Sequence, residues 1–191
     1  GLPEVLDRIV IALTGFSGAV GEAMTRGHGW RFLDIGRRIE RALQVSELLR
    51  HGLFRMAEDE GSRIELLLVA ADSTMTYRSR YLTSLQANLT IDLLLIDDAN
   101  PRGLAFQLQR LKEHVEKLPE VDTTARRSAE SLRLTDAIAA VELADIKVLA
   151  QVEGGHRLGL GLLLDRVNED LFQLSEHLTR DYLTHARRSR Q

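Results

Sequence analysis

The sequence predicts an all-α protein, a single-domain antiparallel bundle of about seven helices. Apolar residues recur at the three- and four-residue spacing of a helix along most of the chain, and no run alternates like a half-buried strand. The 191 residues contain only 3 prolines, with 44% hydrophobic and 28% charged residues, which is typical of a globular domain. The breaks between periodic stretches are short, so successive helices should lie antiparallel in one domain that spans residues 1–191.

The first four helices follow from local composition. Pro3 suits the first turn of the first helix, because its missing N–H would have no partner there. That helix carries Gly15, Gly18 and Gly21, a ridge of small residues that would let a neighbouring helix approach closely. The fourth helix is apolar on nearly every side and should therefore be buried. These helices are predicted at 3–24, 30–54, 63–82 and 89–97.

The remaining three helices have clearer boundaries. Asn100 can cap the fifth helix, with Pro101 at its first position. Pro119 ends that helix, and Gly154 with Gly155 ends the next one. The predicted spans are 101–118, 122–152 and 157–185.

Composition excludes several classes of function. The formal net charge of -3 gives no basic surplus for nucleic acid. No apolar stretch reaches the roughly 18 residues that a membrane-spanning helix needs. Because the chain has no cysteine, it has no thiol nucleophile, disulfide or thiolate metal site. The absence of cysteine also favours a cytoplasmic location.

No motif indicates a metal ion, a cofactor or a catalytic centre. A two-metal helical bundle needs two Glu-x-x-His pairs, and the chain has one, Glu153 with His156, at a helix break. His177, Asp181 and His185 recur at every fourth position of the last helix, but a solvated polar stripe explains them better than a metal site. We therefore expect no metal, no cofactor and no catalytic residue.

The second helix carries charges between two apolar surfaces. One apolar stripe runs through residues 32–43, and other apolar residues, including Trp30, lie on roughly the opposite side. Charges in a helix covered on two sides should be partly buried and therefore paired. Asp34 can reach Arg37 or Arg38, and Glu40 can reach Arg37, at i+3 or i+4 spacing. The cluster expected to be partly buried is Asp34, Arg37, Glu40 and Arg41.

Two roles are open for these charges. They can form ion pairs that only fix helix packing, with Asp34 and Arg38 as the structural pair. They can also bind an anionic ligand such as a carboxylate or phosphate, which arginine suits well. A second cluster, with Tyr77 and Arg80 on one face of the third helix and Arg102 at the start of the fifth, supports the second role. The candidates for binding a ligand or partner are Arg37, Glu40, Arg41, Tyr77, Arg80 and Arg102.

Three segments carry a resemblance to a known family. Residues 29–42 read GWRFLDIGRRIERA, residues 75–82 read MTYRSRYL, and residues 93–108 read LLLIDDANPRGLAFQL. In this order the three blocks resemble the Alpha-E family, a bacterial all-helical domain named for its Glu-Arg motif. The resemblance covers roughly residues 24–118 and is weaker beyond them.

The resemblance implies partners. Members of the family are encoded beside, or fused to, ATP-grasp-type ligases and transglutaminase-like proteins, which implies a role in making or modifying peptides. It also implies an earlier Glu-Arg segment, which we do not find before Trp30. We therefore expect this chain to be the C-terminal part of the domain and a fragment of a longer protein. Gly103 departs from the serine that the family pattern places there.

The leading hypothesis is a non-catalytic helical module that binds a ligase, a transglutaminase-like protein or their peptide. A large exposed apolar patch would support it. The alternative is a ligand-binding or catalytic subunit that holds a carboxylate or phosphate through Arg37, Arg41, Arg80 and Arg102, with Glu40 as an acid or base. A structural linker is a third reading, and a homodimer formed through an uncovered face is also open.

Overall fold

The computed structural model describes residues 1–118 and 124–183, with the side chains of 124–132 and 183 left out of the description. These residues form nine α-helices and no strand, which confirms the all-α prediction. Three of the helices, α2, α5 and α9, continue directly into π-helical turns at Arg50–Phe54, Asp92–Ile96 and Thr179–Leu183. The helices are α1 Leu2–Ala23, α2 His28–Leu49, α3 Glu60–Ala70, α4 Thr74–Tyr81, α5 Ala87–Ile91, α6 Leu104–Val115, α7 Thr124–Glu142, α8 Ile146–Ala150 and α9 Leu158–Leu178.

Two of the seven predicted helices are each divided in two. The third breaks after α3, where Asp72 adopts a left-handed backbone with φ of 49° and Ser73 Oγ donates to the carbonyl of Ala71 at 3.0 Å. The sixth breaks before α8, which Asp145 caps by accepting from the backbone N–H of Lys147 at 2.8 Å. Asp and Ser bond well to nearby backbone groups, and this favours turns and caps over helix interiors.

The predicted start of the fifth helix is also corrected. Residues 101–103 form a turn, and α6 begins at Leu104 with Gly103 as its N-cap. Asn100 does hold this turn, because its side-chain amide donates to the Leu93 carbonyl at 2.9 Å and its oxygen accepts from the N–H of Arg102 at 3.1 Å. Arg102 therefore lies before α6 and not in its first turn.

Four long helices enclose the core. α2 packs against α6, α6 against α7, α7 against α9, and α9 against α2, which closes a ring. α5 and its π-helical turn contact α8 and α3. Among the residues whose burial is described they supply the most deeply buried run, as the apolar sequence of this helix predicts. Leucines dominate the side chains that are fully buried, among them Leu49, Leu53, Leu93, Leu94, Leu95, Leu104, Leu108, Leu111, Leu160 and Leu164.

The first helix lies outside this core. Its contacts with α2 are few: Gly29 lies beside the Met24 side chain, and Arg37 Nη2 lies 3.4 Å from Ser17 Oγ. The pairs Met24–Gly29 and Ser17–Arg37 show that the end of α1 folds back antiparallel to the start of α2. No residue of α1 is buried. The glycine ridge at Gly15, Gly18 and Gly21 has nothing within 4 Å, so the neighbouring helix predicted to pack there is absent from the described structure.

A close contact between elements occurs at Gly52, in the π-helical turn after α2. A Cβ added there would lie 2.8 Å from Leu67 Cδ2 and 3.2 Å from Leu67 Cβ. We expect Gly52→Ala to lower the free energy of unfolding by about 1–3 kcal/mol, because the turn and α3 would have to separate. Urea unfolding followed by circular dichroism measures the change.

Gly36 provides the control for this substitution. It is exposed in the middle of α2, and a Cβ there would meet nothing within 4 Å. Gly36→Ala should raise the free energy of unfolding by up to about 1 kcal/mol through helix propensity alone. If both variants change stability in the same direction, the contact with Leu67 is not what requires glycine at position 52.

Candidate functional site

The charged face of α2 is organised around Asp34, which is 8% exposed and faces α6. Its Oδ2 accepts a hydrogen bond from Arg38 Nε at 3.0 Å, one helical turn along. The same oxygen lies 2.8 Å from His114 Nε2 in α6. Asp34 therefore joins α2 to α6 through the imidazole of His114, and Arg38 of α2 itself also holds the carboxylate.

Gln107 extends the network towards the turn before α6. Arg38 Nη1 donates to Gln107 Oε1 at 3.1 Å, and Gln107 Nε2 donates to the carbonyl of Pro101 at 2.6 Å. Gln107 is 1% exposed, so both ends of its amide are satisfied inside the protein. Aromatic rings cover the edges: Trp30 meets the His114 ring edge-on at 5.1 Å, and Arg38 lies 5.6 Å from the centre of the Phe106 ring.

The environment of Asp34 favours its ionised form. Burial alone would raise the pKa of this carboxyl group, but the charge and hydrogen bond of Arg38, together with His114, outweigh burial and lower the pKa. The carboxylate is therefore charged at neutral pH, and its Oδ2 is bound by both partners. This network matches the role of a packing device between α2 and α6.

Arg41 has a different environment. It is exposed and forms no ion pair or hydrogen bond with the residues that the structure describes. Partial removal from water lowers the pKa of its guanidinium first, and the positive charges of Arg38, Arg102 and Arg37 lower it further, against a smaller opposing effect of Asp34. The charged groups that act on Arg41 are thus mainly positive.

Arg41 and Arg102 lie at one cavity of about 120 Å³ between α2, the end of α3 and the turn before α6. Arg102 Nη2 also pairs with Asp72 Oδ2 at 2.5 Å, and Asp72 is part of the same wall. The cavity combines polar groups with an apolar wall. Its lining residues are Arg41, Gln44, Val45, Leu48, Ala70, Ala71, Asp72, Pro101, Arg102 and Gln107.

The structure corrects part of the predicted burial on α2. Glu40 and Arg41 are exposed, and Arg37 is half-buried with its guanidinium 6.0 Å from the centre of the Phe16 ring. No ion pair between Glu40 and Arg37 occurs in the described part of the chain. The reason is geometric. The side of α2 that meets α6 and α9 is centred on Ile35 and on the residues one helical turn before and after it, whereas Glu40 is about 140° from Ile35 around the helix.

The predicted Tyr77 and Arg80 do not join this cavity. Tyr77 is fully buried, and its hydroxyl donates to the carbonyl of Ser84 and accepts from the N–H of Gln86, both at 3.0 Å. Arg80 forms an ion pair with Asp97 and lies 3.7 Å from Asp92. Of the six binding candidates, the structure therefore places only Arg41 and Arg102 at one cavity.

Three polar residues of this region are not among those predicted from the sequence: His114, Gln107 and Asp72. For two of them a signal existed. Gln107 and His114 are seven residues apart on the same stripe of α6 as Leu104, Leu111 and the other buried leucines, and a polar residue on such a stripe requires a buried partner. Nothing in the local sequence of Asp72 indicates that it faces Arg102, which is 30 residues away.

The histidines considered as possible metal ligands lie in different parts of the structure. His156 belongs to a tight turn in which its backbone exchanges hydrogen bonds with Glu153 at 2.8 and 3.0 Å, and its ring lies 5.1 Å from that of Phe54. His177 and Asp181 are in the last helix and its π-helical turn, and His185 is outside the described residues. Within the described residues no three ligand-type side chains cluster closely enough to hold a metal ion.

The fold and this network define a class: an all-α domain whose second helix presents an exposed Glu-Arg pair and pairs its buried carboxylate with α6. The chain belongs to the Alpha-E family, described as a predicted α-helical domain with a conserved ER motif, and the family model matches residues 1–183. Since the match includes α1, the family likeness covers nearly the whole chain and is not confined to residues 24–118 or to a C-terminal part of the chain. None of the helices in the described residues is long and apolar enough to cross a membrane.

The chain is also similar to uncharacterised proteins of Mycobacterium bovis and of two strains of Mycobacterium tuberculosis. Each is 38% identical over 112 residues, a stretch that is 58% of this chain and 13% of the relative. The aligned stretch is thus a small part of a much longer polypeptide in each relative. No solved structure gives a significant match to the chain.

Proposed function

We propose that this chain is a non-catalytic helical module that docks, through α1, onto a catalytic domain of the ATP-grasp-ligase or transglutaminase type and thereby assists peptide synthesis or modification. The docking surface is α1, residues Leu2–Ala23. The exposure of the apolar side chains of this helix carries the proposal. The family resemblance supplies the class of partner, and the lack of cysteine favours a cytoplasmic setting for the complex.

The α1 surface is far more apolar than an ordinary exposed helix. Leu2 is 72% exposed, Ile11 71% and Leu13 60%. Exposed apolar patches of this extent mark interaction surfaces in soluble proteins, because each side chain left in water forgoes the free energy of burial. The exposed apolar residues of α1 are Leu2, Val5, Leu6, Ile9, Val10, Ile11, Leu13 and Phe16.

The small residues of α1 favour a helix as the contacting element. Gly15, Gly18 and Gly21 recur every three residues, and open space faces all three. Helix pairs that meet at small residues bring their backbones close together, and this enlarges the van der Waals contact. Ile9 and Leu13 lie about 180° and 140° from Gly18 around the helix, so the ridge is a second surface of α1. A partner helix on the ridge would cover Ile11, and the side with Ile9 and Leu13 would need a second contact.

The long relatives support a large partner. Because the aligned stretch is 13% of each relative, most of each polypeptide lies outside the similar region. In such proteins a catalytic domain on the same polypeptide would be held near α1 at high effective concentration, so even a modest interface would remain occupied. The same surface on a separate chain would need a larger or tighter interface.

The proposal predicts that two charges placed on α1 abolish docking. Ile9→Asp with Leu13→Asp puts two carboxylates one helical turn apart on the apolar surface. The purified chain should bind the ATP-grasp-type ligase of the same genome, or failing that its transglutaminase-like protein, and the double variant should bind at least about tenfold more weakly. Sedimentation velocity measures both the complex and any self-association.

The matched control is Leu162→Asp, which also places a carboxylate at an exposed leucine, 72% exposed, but on α9. Circular dichroism should show both variants folded, because no core residue is changed. Equal binding by the wild type and the double variant would rule out α1 as the docking surface. The proposal would also be ruled out if the wild-type chain dimerises through α1 and binds neither partner protein.

A further inference from the structure

We propose that the cavity between Arg41 and Arg102 is a binding site for a single carboxylate carried on a short aliphatic group, such as the C-terminal residue of a peptide. This carboxylate site is defined by Arg41, Arg102, Gln44 and Gln107 together with the apolar wall behind them. It is separate from the α1 docking surface, none of whose residues line the cavity. The charge balance, the preorganisation and the shape of the cavity all favour such a ligand.

Charge balance leaves Arg41 available. Three guanidiniums, those of Arg38, Arg102 and Arg37, repel the charge of Arg41 on this part of α2. The neighbouring carboxylate Asp34 is already engaged by Arg38 and His114. The other, Asp72, is engaged by Arg102. An anion bound beside Arg41 would relieve repulsion between like charges that the protein itself leaves uncompensated.

The polar wall of the cavity is held in place before any ligand arrives. Gln107 is fixed at both ends, by Arg38 and by the Pro101 carbonyl. Arg102 is held by Asp72 at its guanidinium and by Asn100 at its backbone N–H. Because these groups are already ordered, a ligand would pay little conformational entropy to organise them.

The remaining lining selects the kind of anion. Val45, Leu48 and the two alanines at the end of α3 give the cavity an apolar side, which suits a short aliphatic group. Asp72 at the same wall repels a second negative charge, and this disfavours a phosphate dianion against a carboxylate with one charge. A volume of about 120 Å³ accommodates a small group and not a bulky cofactor.

The test uses N-acetylalanine as the probe, with N-acetylalanine amide and inorganic phosphate for comparison. Heteronuclear NMR titration of the purified chain follows the side-chain Nε–Hε signals of the arginines. N-acetylalanine should shift the Arg41 and Arg102 signals in a saturable way, the amide should not, and phosphate should bind at least about threefold more weakly. Arg41→Gln should weaken binding of N-acetylalanine at least about tenfold.

Arg37→Gln is the matched control, because Arg37 lies one turn earlier on α2 and does not line the cavity. It removes the same charge and should change binding by less than about twofold. Three results would overturn the carboxylate site: equal shifts with the amide, tighter binding of phosphate, or equal losses in the two arginine variants. The last would indicate diffuse attraction of anions without a defined site. Since the readout involves no partner, failure here would leave the α1 docking surface untouched, and the reverse also holds.

Discussion

Replacing Arg157 with methionine should lower the free energy of unfolding by about 3–5 kcal/mol, because the substitution removes the common donor of two backbone carbonyls and of the Glu60 carboxylate. Arg157 is 3% exposed, and its Nη2 donates to Glu60 Oε1 at 2.5 Å. Its Nη1 donates to the carbonyl of Leu53 at 2.8 Å and its Nε to that of Ala150 at 3.2 Å. Urea unfolding at pH 7, followed by circular dichroism, measures the loss.

The size of this effect follows from what one side chain connects. The three acceptors belong to the π-helical turn after α2, to the end of α8 and to the start of α3. In the described structure no other single residue forms hydrogen bonds to all three of these elements. Methionine fills similar volume but leaves a carboxylate and two carbonyls without their donor. Arg157→Lys should also be clearly destabilising, because one ammonium group cannot reproduce the planar fork of a guanidinium.

Glu60→Gln is the matched control for Arg157. It removes the charge of the partner but keeps an acceptor oxygen, and the Glu60 side chain is 30% exposed, so water can compensate. We expect a loss of about 1 kcal/mol or less. If Arg157→Met costs no more than Glu60→Gln, the arginine does not hold these three elements together.

The fold class could be predicted from the sequence because helical periodicity is a local property. The stripe of α2 is an example: Ile35, Ile39 and Ala42 recur at helical spacing, and all three are buried. The division of the third predicted helix was missed because apolar spacing continues across Asp72 and Ser73, although both residue types compete with helix for backbone hydrogen bonds. Periodicity shows where a helix can exist, and the local polar residues decide where it ends.

The site was less predictable because it depends on contacts between distant parts of the chain. The hydrogen bond between Asp34 and Arg38 joins residues four positions apart, and this pair is among those predicted from the sequence. The bond between Asp34 and His114 joins residues 80 positions apart, and that between Arg157 and Glu60 spans 97 positions. Whether the face of α2 that carries Glu40 is buried depends on which helices cover α2. The spacing of residues within α2 does not determine that.

The same limit applies to the element that covers α1. Its apolar pattern, with Val5, Ile9 and Phe16, has the spacing of a helix that packs against another element, and the sequence does not identify that element. A pattern of this kind shows that a helix has an apolar surface. It does not show whether the covering element belongs to the same domain or to a partner, and this is the question that the α1 variants address.

Asp34→Asn should lower the free energy of unfolding by about 2–3 kcal/mol at pH 7, the usual worth of hydrogen bonds to a charged group, and by progressively less below about pH 4. The folded-state pKa of Asp34 is below the ordinary value of 3.8, because Arg38 and His114 outweigh the opposing effect of burial. A carboxyl group with a lowered folded pKa contributes stability that is fully present above its unfolded pKa and is lost as the pH falls through the folded one.

The difference between wild type and Asp34→Asn should therefore stay constant down to about pH 4 and then shrink, as wild-type Asp34 itself becomes neutral. Urea unfolding of both proteins at pH 7, 5 and 3 measures it. Asp165→Asn is the control, since Asp165 pairs with Arg50 but its side chain is 68% exposed, so its effect should be below about 1 kcal/mol at each pH. An undiminished effect of Asp34→Asn at pH 3 would mean that Asp34 supports α2 and α6 by shape and neutral hydrogen bonding. A diminishing effect would identify the charge of Asp34 as what joins the two helices behind the Arg41–Arg102 cavity.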